Sequence, residues 1–435
     1  MSRDITLYCG VTGLQKRDTV QMARRPELEF ISLIQLTAQK QIFQQRGCLP
    51  LRKNPSPECA PPTVLVSLQK LANGALKKGP FSVSFTEFTP PSGDTHDFYS
   101  VAPYWWPVSK MILGPDGIEK EEIWYERKDG KRVPDVGLLP NQGQLEQLAE
   151  NVMYLALAFF FFEDVRYAHH ATELLSCWFV EPTTTMNPNV NCGQAIRGTG
   201  PNACSGRKAG ILSTRALARI ANVLPLLTSS DSFDADIASA LNAWYTEYVT
   251  WLVDSPLGSA GLKTTNNHRT WQLVQICTIL WYLRRSDDVM NYLDQFFDST
   301  WPNQLDPQGT GDQPQESCRT RPFHYLVFNV NAVIYLVELG AELKMDFWPS
   351  CDHGIKRAVD FVIKLWTEGV MNGGNKVKKE ENADLTEAVG CILAVWRKHG
   401  DRQNEYSSIV TEARVGSNGD RISGPKYDLR SLWTS

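Results

Sequence analysis

The stretch TTNNHRTWQLVQICTILWYL, residues 264–283, combines a polar start with a long apolar continuation. Its first four side chains can each accept a hydrogen bond from a free amide at the start of a helix. Apolar residues such as Trp271, Val274 and Leu280 then recur at helical spacing. The pattern predicts a buried helix with Asn267 and His268 at its mouth. An amide beside an imidazole suits a site that binds an anion and moves a proton, although an Asn cap followed by an incidental His is the simpler interpretation.

A second polar cluster precedes another apolar run. The segment DQPQESCRTRPFHYLVFN, residues 312–329, brings together Arg319, Arg321, His324 and Tyr325. A solvated basic turn ahead of a core helix explains the two arginines, but it does not explain His324 and Tyr325 at the edge of the core. Amide, imidazole, guanidinium and phenol are the groups needed to remove a proton next to a carboxylate. We therefore predict that the two segments form one site.

Four sequence blocks resemble the alginate lyase superfamily of polysaccharide lyases. They are DTHDFYSVAPYWWP at 94–107, WFVEPTTTMNP at 178–188 with a Gln beyond it, NNH followed by Trp, and QPxExxRT with a Tyr six residues after its Arg. The blocks cover roughly residues 80 to 370. The resemblance implies an incomplete (α/α) toroid that cleaves a uronic-acid-containing polysaccharide, such as alginate or glucuronan, by β-elimination.

The resemblance also implies catalytic roles. Asn267 and His268 are expected to hold the uronate carboxylate with help from Arg319. Tyr325 is expected to remove the C5 proton or to protonate the glycosidic oxygen, and His268 is the base instead when C5 has the opposite configuration. This scheme requires no metal ion and no other cofactor.

A sugar groove is predicted around the aromatic block. At least one of two adjacent tryptophans before a proline is expected to face the groove and stack on a sugar ring; a loop-anchoring aromatic cluster is the alternative. Arg269 and His324 depart from the family pattern, and either departure shifts the expected substrate towards glucuronan or another polyuronate. The predicted substrate-binding residues are Tyr104, Trp105, Trp106, Gln194, Arg197, Arg269, Arg321 and His324.

Two other functions remain open. An inverting glycoside hydrolase on a related (α/α) toroid would need two carboxylic acids flanking the groove, and only Asp312 and Glu316 lie near the right segment. A carbohydrate-binding protein without catalysis is the other alternative. Metal binding by Asp94, His96 and Asp97 is disfavoured because three adjacent loop residues rarely complete a site.

The net charge and the hydropathy of the chain limit the kinds of binding partner that we expect. The net charge of −4 gives no reason to expect nucleic acid or an anionic membrane, so an anionic polysaccharide must meet a local basic cluster. The densest apolar run, Tyr154 to Phe162, is too short to span a bilayer, and no run of sufficient length is expected. We expect a monomer. The resemblance implies a secreted protein, but the N-terminus lacks a hydrophobic signal core.

The periodic segments predict an all-α chain with a few short strands or extended segments near the N-terminal side. We expect a flexible segment at 1–25, one toroid domain at 26–415 and a peripheral tail at 416–435. The loop from Pro182 to Gly210 is long for a simple connection, which favours a functional role. Disulfides between Cys48 and Cys59, or Cys192 and Cys204, are possible in an oxidising compartment. Helices are expected at 27–45, 64–76, 145–162, 165–179, 214–227, 233–255, 267–285, 289–301, 323–343, 353–368 and 382–399.

Overall fold

The computed structural model describes residues 62–200, 203, 205–368, 371–372, 375–376, 380 and 383–413. The predicted flexible segment at 1–25, the predicted helix at 27–45 and the predicted tail at 416–435 lie outside the described residues. So do Cys48, Cys59 and Cys204 of the two possible disulfides. The domain division therefore stays a prediction.

Helices dominate the described residues, as the periodicity predicts. The helix at Val165–Phe179 has the predicted bounds, and Asp164 caps it by accepting a hydrogen bond from the amide of Arg166 at 3.0 Å. The helices are α1 (Pro62–Ala75), α2 (Asn141–Phe162), α3 (Val165–Phe179), α4 (Ala216–Leu227), α5 (Ala235–Asp254), α6 (Pro256–Leu262), α7 (Asn267–Tyr282), α8 (Ser286–Gln295), α9 (Pro314–Ser317), α10 (Pro322–Glu342), α11 (Ser350–Thr367), α12 (Val389–His399) and α13 (Glu405–Glu412).

Alternate helices contact one another in series. Helices α2, α4, α7, α10 and α12 form one row in which each packs on the next, and α3, α5, α8, α11 and α13 pack outside them. The inner helices are buried on most sides; α7, for example, buries every residue from Thr270 to Leu280. This two-row order is the contact pattern that the predicted (α/α) toroid requires, while the ring shape itself stays a prediction.

The inner row corrects the expectation that no segment is long and apolar enough to span a membrane. Three helical segments meet that requirement by length and composition, namely Asn141–Phe162, Lys208–Leu227 and Pro322–Glu342. Their apolar windows are 72%, 83% and 83% buried inside the protein. A search for uninterrupted apolar runs misses such helices because scattered Asn, Gln and Thr residues break the run without making the helix polar. A helix that packs on all sides has this composition.

A long hairpin is the main departure from the predicted secondary structure. Strands β2 (Trp105–Leu113) and β3 (Glu119–Arg127) pair antiparallel, with Trp105 opposite Arg127. The connecting turn includes Gly114 and Gly117, and the Asp129-Gly130 turn follows the hairpin instead of closing it. The hairpin ends therefore return to the helical body beside α10. The remaining strands are β1 (Tyr99–Val101), which pairs parallel with β4 (Cys192–Ala195), and the short pair β5 (Met371–Asn372) and β6 (Asn375–Lys376).

Candidate active site

The start of α7 is joined to the segment before α10 by a buried carboxylate. Asn266 caps α7 by accepting a hydrogen bond from the amide of His268 at 3.3 Å, which confirms the predicted polar start. Asn267 is 1% exposed, and it donates from its backbone amide (2.8 Å) and from Nδ2 (2.6 Å) to the two carboxylate oxygens of Glu316. Glu316 is itself 1% exposed. The two motifs, 49 residues apart, are therefore held as one unit.

The guanidinium of Arg319 lies over the ring of Tyr325. Its guanidinium carbon is 3.9 Å from the ring centroid. Its Nε and Nη2 donate to the carboxylate of Asp129 at 3.2 and 2.9 Å. Burial raises the pKa of Asp129, but the ion pairs with Arg319 and Arg127 outweigh it and hold the pKa below its usual range. The guanidinium is thus fixed between the hairpin end and the phenol ring.

The hydroxyl of Tyr325 pairs with a second phenol. Tyr325 is 7% exposed, and its Oη is 2.9 Å from the Oη of Tyr104. Burial raises the pKa of Tyr325 well above its ordinary value, the hydrogen bond to Tyr104 adds to this, and the nearby Arg319 opposes it. Tyr325 is therefore protonated at neutral pH and can donate its proton.

His268 stands among cations. Burial, which has the largest effect, and the positive charges of Arg319, Arg207, Lys208 and Arg127 together lower its pKa to about 4. Its Nδ1 atom is buried and has no hydrogen-bond partner within the described part of the chain. The imidazole is therefore neutral at ordinary pH, beside four positive charges that can bind anions.

The two tryptophans of the aromatic block point in opposite directions. Successive residues of a strand face opposite sides of the sheet. Trp105 faces the side of Arg207, whose guanidinium carbon is 5.3 Å from its ring. Trp106 donates from Nε1 to the carbonyl of Lys131 at 2.7 Å and anchors the other side of the hairpin. We call Arg319, Arg207, Lys208 and Arg127, the cations near His268, the cationic cluster. The geometry thus brings Trp105, and not Trp106, to this cationic cluster.

Gln194 lies in β4 and Arg197 in the loop that follows it, and both make protein contacts. The Gln194 backbone has a positive φ of 47°, and its Nε2 donates to Ser213 at 3.4 Å. Arg197 forms an ion pair with Asp135 and lies 5.3 Å from the ring of Tyr125. These contacts fix the loop beside the hairpin.

Arg321 and His324 are held by carboxylates from another segment. Arg321 donates from Nε to Glu380 at 2.6 Å, and Nδ1 of His324 lies 2.7 Å from Glu387. Their closeness in sequence to Tyr325 suggested a substrate-binding role, but these acidic partners 59 and 63 residues downstream engage them. Arg269 is half-buried; burial lowers its pKa, and its Nε has no hydrogen-bond partner within the described residues.

The acidic residues considered from the sequence are engaged inside the protein. Asn187 Nδ2 donates to Asp94 at 2.9 Å and to Asp97 at 2.8 Å, so this cluster joins two of the sequence blocks. Asp312 is 2% exposed and accepts a hydrogen bond from Ser317 at 3.1 Å. The described residues contain no group of three or more His, Cys, Asp or Glu side chains that could hold a metal ion.

Three residues of the site were not assigned roles from the sequence. Glu316 was considered only as a candidate hydrolase acid, and Asp129 and Arg207 were given no role. Arg207 lies in the loop from Pro182 to Gly210, whose length was the signal that could have identified it. Arg207 has no ion-pair partner among the described residues, and burial lowers its pKa.

Comparisons with known proteins identify a matching family and similar solved structures. The sequence model of the alginate lyase family matches residues 83–370. Six chains of solved structures match, among them the crystal structure of an alginate lyase from Bacteroides ovatus. That structure is 26% identical in sequence, with a TM-score of 0.73 over 92% of this chain and 97% of that chain. No curated protein gives a significant match.

Proposed function

Because the chain belongs to the alginate lyase family, we propose that its cationic cluster cleaves a uronic-acid polysaccharide by β-elimination without a metal ion. The observation that carries the proposal is the packing of Arg319 on Tyr325, 3.9 Å from its ring centroid, beside a neutral His268. This arrangement supports the proposal because the reaction needs an anion-binding group, a proton donor and a proton acceptor in one cluster. The proposed substrates are alginate, glucuronan or a related polyuronate.

The first requirement of the reaction is to neutralise the uronate carboxylate. The C5 hydrogen is weakly acidic until the negative charge that develops on the carboxylate is stabilised. Arg319 supplies a fixed positive charge, and Asn267 lies at the start of α7, where the helix dipole favours an anion. Arg207 and Lys208 supply further positive charge for neighbouring uronates, with Trp105 as a platform for a sugar ring.

The second requirement is two proton transfers. A base removes the C5 proton, the electron pair forms the C4–C5 double bond, and the C4–O bond breaks as the leaving oxygen takes up a proton. His268 is unprotonated and can accept the first proton, whereas Tyr325 is protonated and can donate the second. We therefore assign His268 as the base and Tyr325 as the acid.

The test is the ultraviolet absorbance of unsaturated uronate products, measured across a panel of polyuronates. We expect absorbance to appear with at least one of them, in the presence of a chelator, and to be lost in Tyr325→Phe. New reducing ends without absorbance would indicate a hydrolase, and binding without either product would indicate a carbohydrate-binding protein. The hydrolase has weaker support because Asp312 and Glu316 are buried, at 2% and 1% exposure.

The setting follows from the substrate. Polyuronates are extracellular polymers, so we propose that the protein acts outside the cell, as a monomer. Sedimentation of the purified protein and fractionation of the producing cells test these two points.

A further inference from the structure

Asp129, just beyond the end of β3, connects the hairpin to the site. Its carboxylate accepts hydrogen bonds from Arg319 at 3.2 and 2.9 Å, from Arg127 at 2.6 Å and from Thr320 Oγ1 at 3.4 Å. The next residue, Gly130, has a φ of 69°, and a Cβ there would collide with Thr320. The turn is therefore seated closely against the segment that carries Arg319.

The contact fixes both the position and the plane of the guanidinium. An arginine side chain has several rotatable bonds, but two parallel N–H···O bonds to one carboxylate define its plane. With Nε and Nη2 bound to Asp129, one face of the Arg319 guanidinium lies over the ring of Tyr325. The Nη1 group has no protein hydrogen bond among the described residues and can bind a ligand.

We propose that Asp129 is a positioning residue for the elimination, acting through Arg319: it holds the guanidinium against Tyr325 with Nη1 directed to the uronate carboxylate. The inference rests on the proposed lyase function. Asp129 does not touch the substrate in this scheme. Its effect is to keep Arg319 in the geometry in which the group can stabilise the developing charge.

A double-mutant cycle tests this role. We expect Asp129→Asn to lower kcat by roughly 10- to 100-fold, since a misplacement of about 1 Å at a reacting centre has effects of this size. Asp129→Glu, which keeps the carboxylate, should recover most of the loss. In an Arg319→Ala background, Asp129→Asn should cause no further loss, because a residue that acts only through Arg319 has nothing left to position.

The matched control is Asp116→Asn. Asp116 lies in the turn of the same hairpin and pairs with Lys120 at 3.0 Å on the surface, so the same substitution there should leave kcat unchanged. The melting temperatures of all variants show whether a fall in kcat comes from a displaced Arg319 guanidinium or from loss of folding. If Asp129→Asn has a lowered melting temperature, Gly130→Ala provides a second test, because the added Cβ displaces the turn while the Asp129 carboxylate is retained. Gly130→Ala should also lower kcat several-fold.

The outcomes distinguish the two proposals. Wild-type kcat in Asp129→Asn, or losses that multiply in the double variant, would overturn the positioning role while leaving the lyase function intact. A wild-type protein that forms no unsaturated product from any polyuronate would overturn the lyase function, and the positioning role with it.

Discussion

Replacing Glu316 by Gln perturbs the buried link between the two helix starts. Glu316 is 1% exposed, and both of its oxygens accept hydrogen bonds from Asn267. A glutamine has one acceptor oxygen, so it can serve one of these donors and must place its own NH₂ group against the other. The substitution therefore leaves a buried donor of Asn267 unpaired while keeping the size of the side chain.

The magnitude follows from these contacts. Losing a hydrogen bond to a charged group costs about 1.5 to 3 kcal/mol, and an unsatisfied buried donor adds a cost of similar size. Against this, burial raises the pKa of Glu316, so a neutral amide avoids part of the desolvation penalty of the carboxylate. We expect a net loss of about 2 kcal/mol in the free energy of unfolding. For a chain of 435 residues this lowers the melting temperature by roughly 2 to 3 °C.

The effect on activity should be larger than the effect on folding. Releasing Asn267 removes a preorganised polar group from the carboxylate site, so kcat/KM on the best polyuronate should fall about 100-fold. The assay pairs thermal melting with ultraviolet detection of unsaturated product. Gln315→Ala is the control, because Gln315 forms the exposed hydrogen bond between the same two segments, to Thr265 at 2.8 Å, and should matter little. A Glu316→Gln protein with unchanged melting temperature and unchanged kcat/KM would refute the reasoning.

Four further changes have directions fixed by the structure. Tyr325→Phe should abolish turnover while retaining substrate binding, measured by calorimetry; retained turnover would exclude the acid role. The value of kcat/KM should fall below about pH 4, as His268 gains a proton, and stay level from pH 6 to 9. A continuous rise of kcat/KM with pH would instead assign the base role to ionised Tyr325. Trp105→Ala should raise KM about fivefold to tenfold and Trp106→Ala should not, because only the former faces the cationic cluster; equal effects would contradict this. Burial and a neighbouring carboxylate raise the pKa of Glu342 to about 7, so the stability that the protonated group allows at low pH is lost as the pH rises through 7. Glu342→Gln should therefore stabilise the fold by about 1 to 2 kcal/mol at pH 8 and little at pH 5. An equal effect at both pH values would show that Glu342 is not the cause of this loss.

The helices could be predicted because their apolar spacing is a local property. The helix at 165–179 shows this, since its cap, Asp164, and its apolar face lie within sixteen consecutive residues. The hairpin could not be predicted in the same way. Its Met111, Leu113 and Ile123 side chains are exposed, so burial does not impose a clear alternation of apolar and polar residues.

The candidate site was predictable only in part, for a related reason. The residue types at Asn267, His268 and Tyr325 suggest chemistry by themselves. The partners of the site residues depend on tertiary contacts. Asp129 pairs with Arg319, which is 190 residues away in sequence, and the sequence gives no local sign of this pairing. The same applies to His324, which the sequence suggested as a substrate-binding residue and which Glu387 engages from 63 residues away.

The charge balance of the site connects substrate binding to proton transfer. The whole chain has a net charge of −4, yet four cations surround His268 and two carboxylates, Asp129 and Glu316, lie beside Arg319. Under the proposed function, the local excess of positive charge favours a polymer with regularly spaced carboxylates, whereas a neutral polysaccharide gains nothing from it. Burial and these cations together keep the pKa of His268 low. In the proposed mechanism, bound uronates neutralise the cations, so the contribution of the cations to the low pKa is lost and the pKa of His268 rises. Each unit of that rise makes protonation of His268 about 1.4 kcal/mol more favourable. In this scheme the anion that the site binds also strengthens the base that acts on it, which links substrate binding to proton transfer.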